Sequence, residues 1–135
     1  MYDGADRLVR VTNAQGVSTS YTYDEVGNMT SVTDRNGNVT SYTYDSLDRL
    51  SSKQNNDGTV NYTYTADGKI SAVTDSTGTT TFTYDLMDGL TRVDYPDVNY
   101  VAYSYDNACR LAKLKRLSAR LRMSITQTET TLPKD

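Results

Sequence analysis

The chain reads as an all-β repeat protein built from β-hairpins, and three observations carry that reading. A tyrosine followed by Asp, or once by Thr, recurs at Tyr2, Tyr23, Tyr44, Tyr64, Tyr84 and Tyr105, at intervals of 21, 21, 20, 20 and 21 residues. A period near twenty held this often marks a repeat architecture. The 135 residues include 12 tyrosines and 21 threonines, both strand formers. Glycine pairs such as Asn36-Gly37 and Asp57-Gly58 fall between the strand-prone runs, where tolerance of positive φ signals a hairpin.

Each repeat divides into two strands and two turns. The first strand ends on the recurring tyrosine and carries a second aromatic two residues earlier: Tyr21, Tyr42, Tyr62, Phe82 and Tyr103. Residues two apart in a strand point to the same face, so the aromatics form a ladder. A short turn follows, Glu25 to Asn28 or Ser46 to Arg49, and then a second strand such as 29–33 or 70–74. The second turn carries glycine at the fifteenth place of the repeat, at Gly16, Gly37, Gly58 and Gly78. Two strands and two turns use all twenty or twenty-one residues and leave no room for a helix.

The seventh place holds Leu8, Met29, Leu50, Ile70, Leu90 and Leu111, and the tenth holds Val11, Val32, Lys53, Val73, Val93 and Leu114. These places have opposite parity. Either a bulge brings them to one face, or both faces carry apolar load.

The fifth repeat departs from the pattern. Val98 stands at the glycine place, so this repeat is expected to turn differently, through Tyr95, Pro96 and Asp97. The sixth starts regularly at Tyr105, but the pattern is lost after Leu114. Residues 108–123 place Leu111, Leu114, Leu117 and Leu121 at steps of three and four, with Lys113, Arg116 and Arg120 opposite, which predicts a short basic amphipathic helix. Thr126 to Asp135 reads as a frayed end. The expected division is thus 1–114 as repeats and 115–135 as a divergent basic tail, helical and then disordered. The tail reads as the start of a variable C-terminal module, as a segment lying on the acidic sheet, or as a frameshifted remnant.

Composition excludes several function classes. Leu, Ile, Val and Phe number 24, about 18 per cent, which leaves no thick apolar core. Residues 1–109 hold 15 acidic and 7 basic side chains, without the basic face that nucleic-acid binding requires. No run of about 20 apolar residues is present to form a membrane-spanning helix. There is no histidine, so a Ser/His/Asp or Cys/His arrangement is impossible within this chain. Cys109 is the only cysteine, which rules out an internal disulfide. Met1 falls where other repeats have Thr or Ser, as if the chain began in mid-pattern.

The run from Tyr23 to Asp45, with its Tyr-Asp, Gly-Asn, Val-Thr-Asp, Asn-Gly, Val-Thr and Tyr-Thr-Tyr-Asp steps, resembles the YD repeat of Rhs proteins. Wall-associated bacterial toxins, insecticidal toxin-complex C proteins and teneurins share that repeat, and the resemblance spans residues 2 to about 114. It implies a hairpin meander that spirals into a hollow β-shell, of which this chain would be a part. It implies a scaffold role, with the remaining repeats of the shell and an enclosed C-terminal effector as partners, at the cell surface or outside the cell. The family's Asp-Pro self-cleavage junction has no match: Pro96 follows Tyr95 and Pro133 follows Leu132. That activity is not carried over.

The turn-proximal aspartates Asp3, Asp24, Asp45, Asp85 and Asp106 are expected to bond turn backbone. The run 34–38 has its glycine at the wrong place for a calcium loop and no closing Glu. No catalytic residue, metal site or cofactor is expected. The recurring tyrosines, Phe82 and the glycines are structural repeat positions. The alternative to a scaffold is a carbohydrate-binding module that stacks glycans on Tyr42, Tyr44, Tyr62 and Tyr64.

Overall fold

The computed structural model describes residues 1–106, 108–117 and 129–131. The described residues are all-β and fall into two compact bodies, Met1–Tyr62 and Thr63–Asp135. The first contains β1 (Arg10–Thr12), β2 (Ser18–Tyr23), β3 (Met29–Thr33), β4 (Val39–Tyr44), β5 (Leu50–Asn55) and most of β6 (Gly58–Tyr64). The second contains β7 (Ile70–Asp75), β8 (Gly78–Tyr84), β9 (Leu90–Asp94), β10 (Tyr100–Tyr105), β11 (Leu111–Leu117) and β12 (Glu129–Thr131). Within each body consecutive strands pair antiparallel, an up-and-down meander that does not close on itself.

A bulge repeated in each body resolves the parity of the seventh and tenth places. Tyr21 pairs with Val32 and Thr22 with Ser31, but Tyr23 pairs with Met29, so Thr30 is the extra residue. The same shift places Tyr42 and Tyr44 opposite Lys53 and Leu50, and Phe82 and Tyr84 opposite Val93 and Leu90. One additional residue reverses parity. Met29 and Val32 therefore share a face with Tyr21 and Tyr23.

The opposite face carries hydroxyls. Thr22 Oγ1 lies 2.8 Å from Thr30 Oγ1 and 2.7 Å from Ser31 Oγ, and Thr43 and Thr63 reach Ser51 and Ser71 at 3.0 and 2.9 Å. The apolar face is one layer thick. Among the described residues only Val93, at 5% exposure, is buried, because its row places it between Phe82 and Val101. Cohesion therefore rests on many cross-strand pairs, each contributing roughly 0.2–1 kcal/mol.

Expectations fail in two places, the tail and the fifth repeat. Leu111–Leu117 is a strand, not a helix: Tyr105 pairs with Leu111 and Tyr103 with Leu114 across the usual bulge. The three-residue step between these leucines is the step from the seventh to the tenth place, and the bulge lets a strand imitate helical spacing. Leu121 and Arg120, the rest of that helix, lie outside the described residues. Nor is the terminus wholly frayed, because Glu129–Thr131 pairs with Lys113–Lys115.

The second failure concerns Val98. The fifth repeat turns as the first two do. Tyr95 N–H donates to Asn99 O at 2.8 Å, as Asn13 donates to Val17 and Asp34 to Asn38, each at 2.9 Å. Val98 has φ +59°, beside +80° and +82° at Gly16 and Gly37. Pro96 pre-sets the backbone for the first corner of such a turn. The closing bond then imposes the left-handed conformation on whatever residue follows Asp97. Gly58 and Gly78 belong to a different turn, a two-residue connection in which Asn55 pairs with Gly58 and Asp75 with Gly78. These are the two repeats of 20 residues; the missing residue is the one the tighter turn omits.

Candidate functional site

The first turns of the repeats line one rim within each body and concentrate its polar chemistry. The N–H of the residue after the recurring tyrosine donates to the carbonyl four residues on, at 2.8–3.0 Å in all six repeats. The carboxylate closes the loop from inside: Asp24 Oδ1 accepts the N–H groups of Val26, Gly27 and Asn28 at 2.8–3.1 Å. Asp3, Asp45, Asp85 and Asp106 each cap two N–H groups of their turns in the same way. The backbone-capping expectation for the aspartates holds.

At Asp3, Asp24, Asp45 and Asp106 these bonds favour the ionised carboxylate. Asp3 and Asp106 are held below the ordinary carboxylate value chiefly by the backbone N–H groups of Arg7 and Arg110, and Asp45 by the Arg49 side chain. At Asp24 desolvation opposes the shift, but the bonds from Asn28, Gly27 and Val26 outweigh it and the carboxyl lies low. Asp67 is lowered to about 2 by its bond from the Lys69 ammonium.

The fifth place of each repeat adopts positive φ: Asp6, Gly27, Asp48, Gly68, Asp88 and Cys109, between +57° and +101°. Asp and Gly are among the residues that tolerate this region, so their alternation at this place was a readable signal. Cys109 has no such adaptation.

The recurring tyrosine clamps one repeat to the one before it. Tyr23 Oη donates to Leu8 O at 2.8 Å, and Tyr44, Tyr84 and Tyr105 donate to Met29 O, Ile70 O and Leu90 O at 2.9 Å each. The aromatic two residues earlier needs no hydroxyl, which is why Phe82 serves there. Burial, assisted by the nearby charge of Asp24, pushes the Tyr44 phenol up. Tyr42 faces Lys53 in its row, and Tyr62 and Tyr64 share one face of β6. Tyr2 forms only an isolated bridge with Leu8.

A second coupling, not anticipated from the sequence, comes from the sixth place. Arg7 Nε donates to Asp3 Oδ2 and its Nη1 to Asp24 O, both at 2.8 Å, while the guanidinium lies 5.0 Å from the Tyr23 ring centre. Asn28 reaches Asp48 at 3.0 Å, and Lys69 bonds Asp88 and lies over the Tyr84 ring. A long polar side chain four residues after the turn Asp was the available clue. At the fifth repeat this place is Gly89, and the coupling stops. Among the described residues no cluster of three or more metal-ligating side chains is present.

The RHS Repeat family matches residues 2–39 and, one repeat on, 23–60. No curated protein matches the chain. The solved TcdB2–TccC3 structure is 18% identical over 97% of this chain and 8% of that one, with a TM-score of 0.78. The TcdB2–TccC3–Cdc42 structure gives 18%, 97%, 8% and 0.77, and the Photorhabdus luminescens Tc holotoxin pore gives 17%, 97%, 9% and 0.69. At such identities the likeness is one of fold. The chain spans under a tenth of the length of these proteins.

Proposed function

Because the chain belongs to the Rhs, or YD-repeat, family, we propose that this structural repeat segment forms part of a β-shell wall around a C-terminal effector. One observation supports this most directly. The bonds from Tyr23, Tyr44, Tyr84 and Tyr105 to the preceding repeat join the same places of the repeat at 2.8–2.9 Å in both bodies, and the same bulge lies beneath each of them. A clamp of that kind adds repeats without changing their form, which is what a wall of many repeats requires. The division of the sheet into an apolar and a hydroxyl face fits a layer that separates two environments. The similarity to TccC3-containing structures agrees with this role. Nothing in the rim geometry favours a reaction, since each turn carboxylate caps backbone N–H groups through one of its oxygens.

The carbohydrate reading gains no support. Tyr44, one of its four tyrosines, commits its hydroxyl to Met29 O, leaving less to offer a sugar.

Limited proteolysis of the longer polypeptide that carries this segment tests the wall role. The C-terminal segment is expected to resist digestion, and Tyr44→Phe with Tyr84→Phe to expose it sooner. Equal digestion of that segment whether attached or alone would sink the proposal.

A further inference from the structure

Between the fifth and sixth repeats the rim opens into a cavity of about 840 Å³, lined among others by Asp85, Gly89, Leu90, Tyr105, Asp106 and Cys109. We propose that this cavity is a binding site for a guanidinium group, an arginine side chain supplied by a second polypeptide.

The argument begins with the first repeat, where the equivalent place is filled from within. Arg7 there meets three partners at once: the Asp3 carboxylate, the Asp24 carbonyl and the Tyr23 ring. Arg49 and Arg110 likewise bind Asp45 and Asp106, the carboxylates of their own turns. The fifth repeat has the equivalent partners in Asp85, the Asp106 carbonyl and the Tyr105 ring. It lacks only the side chain that uses them, because Gly89 stands at the arginine place.

Each partner has capacity left. Asp85 Oδ1 accepts the Met87 and Gly89 N–H groups at 2.9 and 2.8 Å, and Oδ2 has no partner among the described residues. The Asp106 carbonyl accepts Cys109 N–H at 2.9 Å. Its counterpart, the Asp24 carbonyl, accepts the Gly27 N–H and Arg7 together. Tyr105, which lines the cavity, spends its hydroxyl on Leu90 O, and that bond fixes the ring as the bond to Leu8 O fixes Tyr23 beneath Arg7. A carboxylate, a carbonyl and an aromatic face select a planar cation with several donors over a compact ammonium.

The glycine also supplies a way to fill the site from within. Gly89 does not have positive φ, and the three heavy atoms nearest a Cβ there are those of the Asp85 carboxylate, Oδ2 lying at 2.7 Å. Asp3, Asp45 and Asp106 cap their turns in the same way beside the Cβ of Arg7, Arg49 and Arg110, so a small shift of Asp85 suffices. Gly89→Arg should therefore fold and occupy its own site.

The probe is N-acetyl-arginine amide, titrated into the whole chain by NMR, with the isosteric but uncharged N-acetyl-citrulline amide as control. Saturable shifts at Gly89, Tyr105 and Asp106 are expected with arginine alone. Gly89→Arg and Asp85→Asn should each weaken binding by about tenfold or more. Gly89→Arg should also melt no lower than the parent, which separates an occupied site from a misfolded one. Equal binding of citrulline, no saturable binding, or full binding to a folded Gly89→Arg variant would each overturn the site. Sedimentation with and without probe then identifies the donor. Dimers dispersed by the probe, or a monomer throughout, both support the site, and the two results assign the arginine to a second copy or to a different protein.

Discussion

Val98 offers the sharpest test of the turn geometry. It is a β-branched residue at φ +59° in a turn whose two counterparts use glycine. The left-handed conformation costs an ordinary residue roughly 1–2 kcal/mol, and β-branching adds to that. Val98→Gly removes this strain and returns about 0.4–1 kcal/mol through the greater freedom of the unfolded chain. The side chain is 64% exposed, so little burial is lost. The expected result is a gain approaching about 1 kcal/mol, a rise of roughly 4–8 °C in melting temperature for a body of this size. Gly37→Val runs the same ledger backwards. Its added Cβ would meet nothing within 4 Å, so the cost is backbone strain alone, about 1 kcal/mol net of the entropy term. Urea and thermal unfolding of both variants measure the difference. A destabilised Val98→Gly, or a tolerated Gly37→Val, would show that the closing bond does not impose left-handed backbone at this place.

Three further outcomes are expected. Tyr44→Phe loses the bond to Met29 O and should cost about 0.5–1.5 kcal/mol, while Tyr42→Phe, at the place where Phe82 occurs naturally, should cost clearly less in the same denaturation assay. Gly78→Ala brings a Cβ to 2.6 Å from Pro96 Cβ, whereas Gly58→Ala, at nearly the same φ, meets nothing. The former should therefore be worse by roughly 1–3 kcal/mol, a gap that Pro96→Gly should close and Pro96→Ala should not, since alanine retains the Cβ. Acid should weaken the fold: Asp3, Asp24, Asp45, Asp67 and Asp106 have folded-state values below 3.8, so their contribution is complete above that pH and is lost as pH falls below it, toward about 2 at Asp67. A urea midpoint that is flat between pH 5 and 2 would contradict this, and Asp45→Asn should reduce the slope.

The period, the strands and the two turns per repeat were legible because each depends on local chemistry. Tyr and Thr favour extended backbone, Gly admits positive φ, and the aspartate bonds amides within four residues of itself. Even the two turn types were recorded in the intervals of 20 and 21, although the shared glycine concealed them. Pairing decided the rest. Leu111 and Leu114 are three apart in a helix and in a bulged strand alike, and only the partners Tyr105 and Tyr103 distinguish the two. Val98 showed that a closing backbone bond can outweigh a residue's own preference. The roles of Arg7, Asn28 and Lys69, and the gap at Gly89, depend on residues 17 to 20 positions away in the next turn. Sequence determined what each repeat is, because those forces act within a few residues. Tertiary structure decided how repeats grip one another, because the carbonyls, rings and carboxylates that do so become neighbours only once the strands are paired.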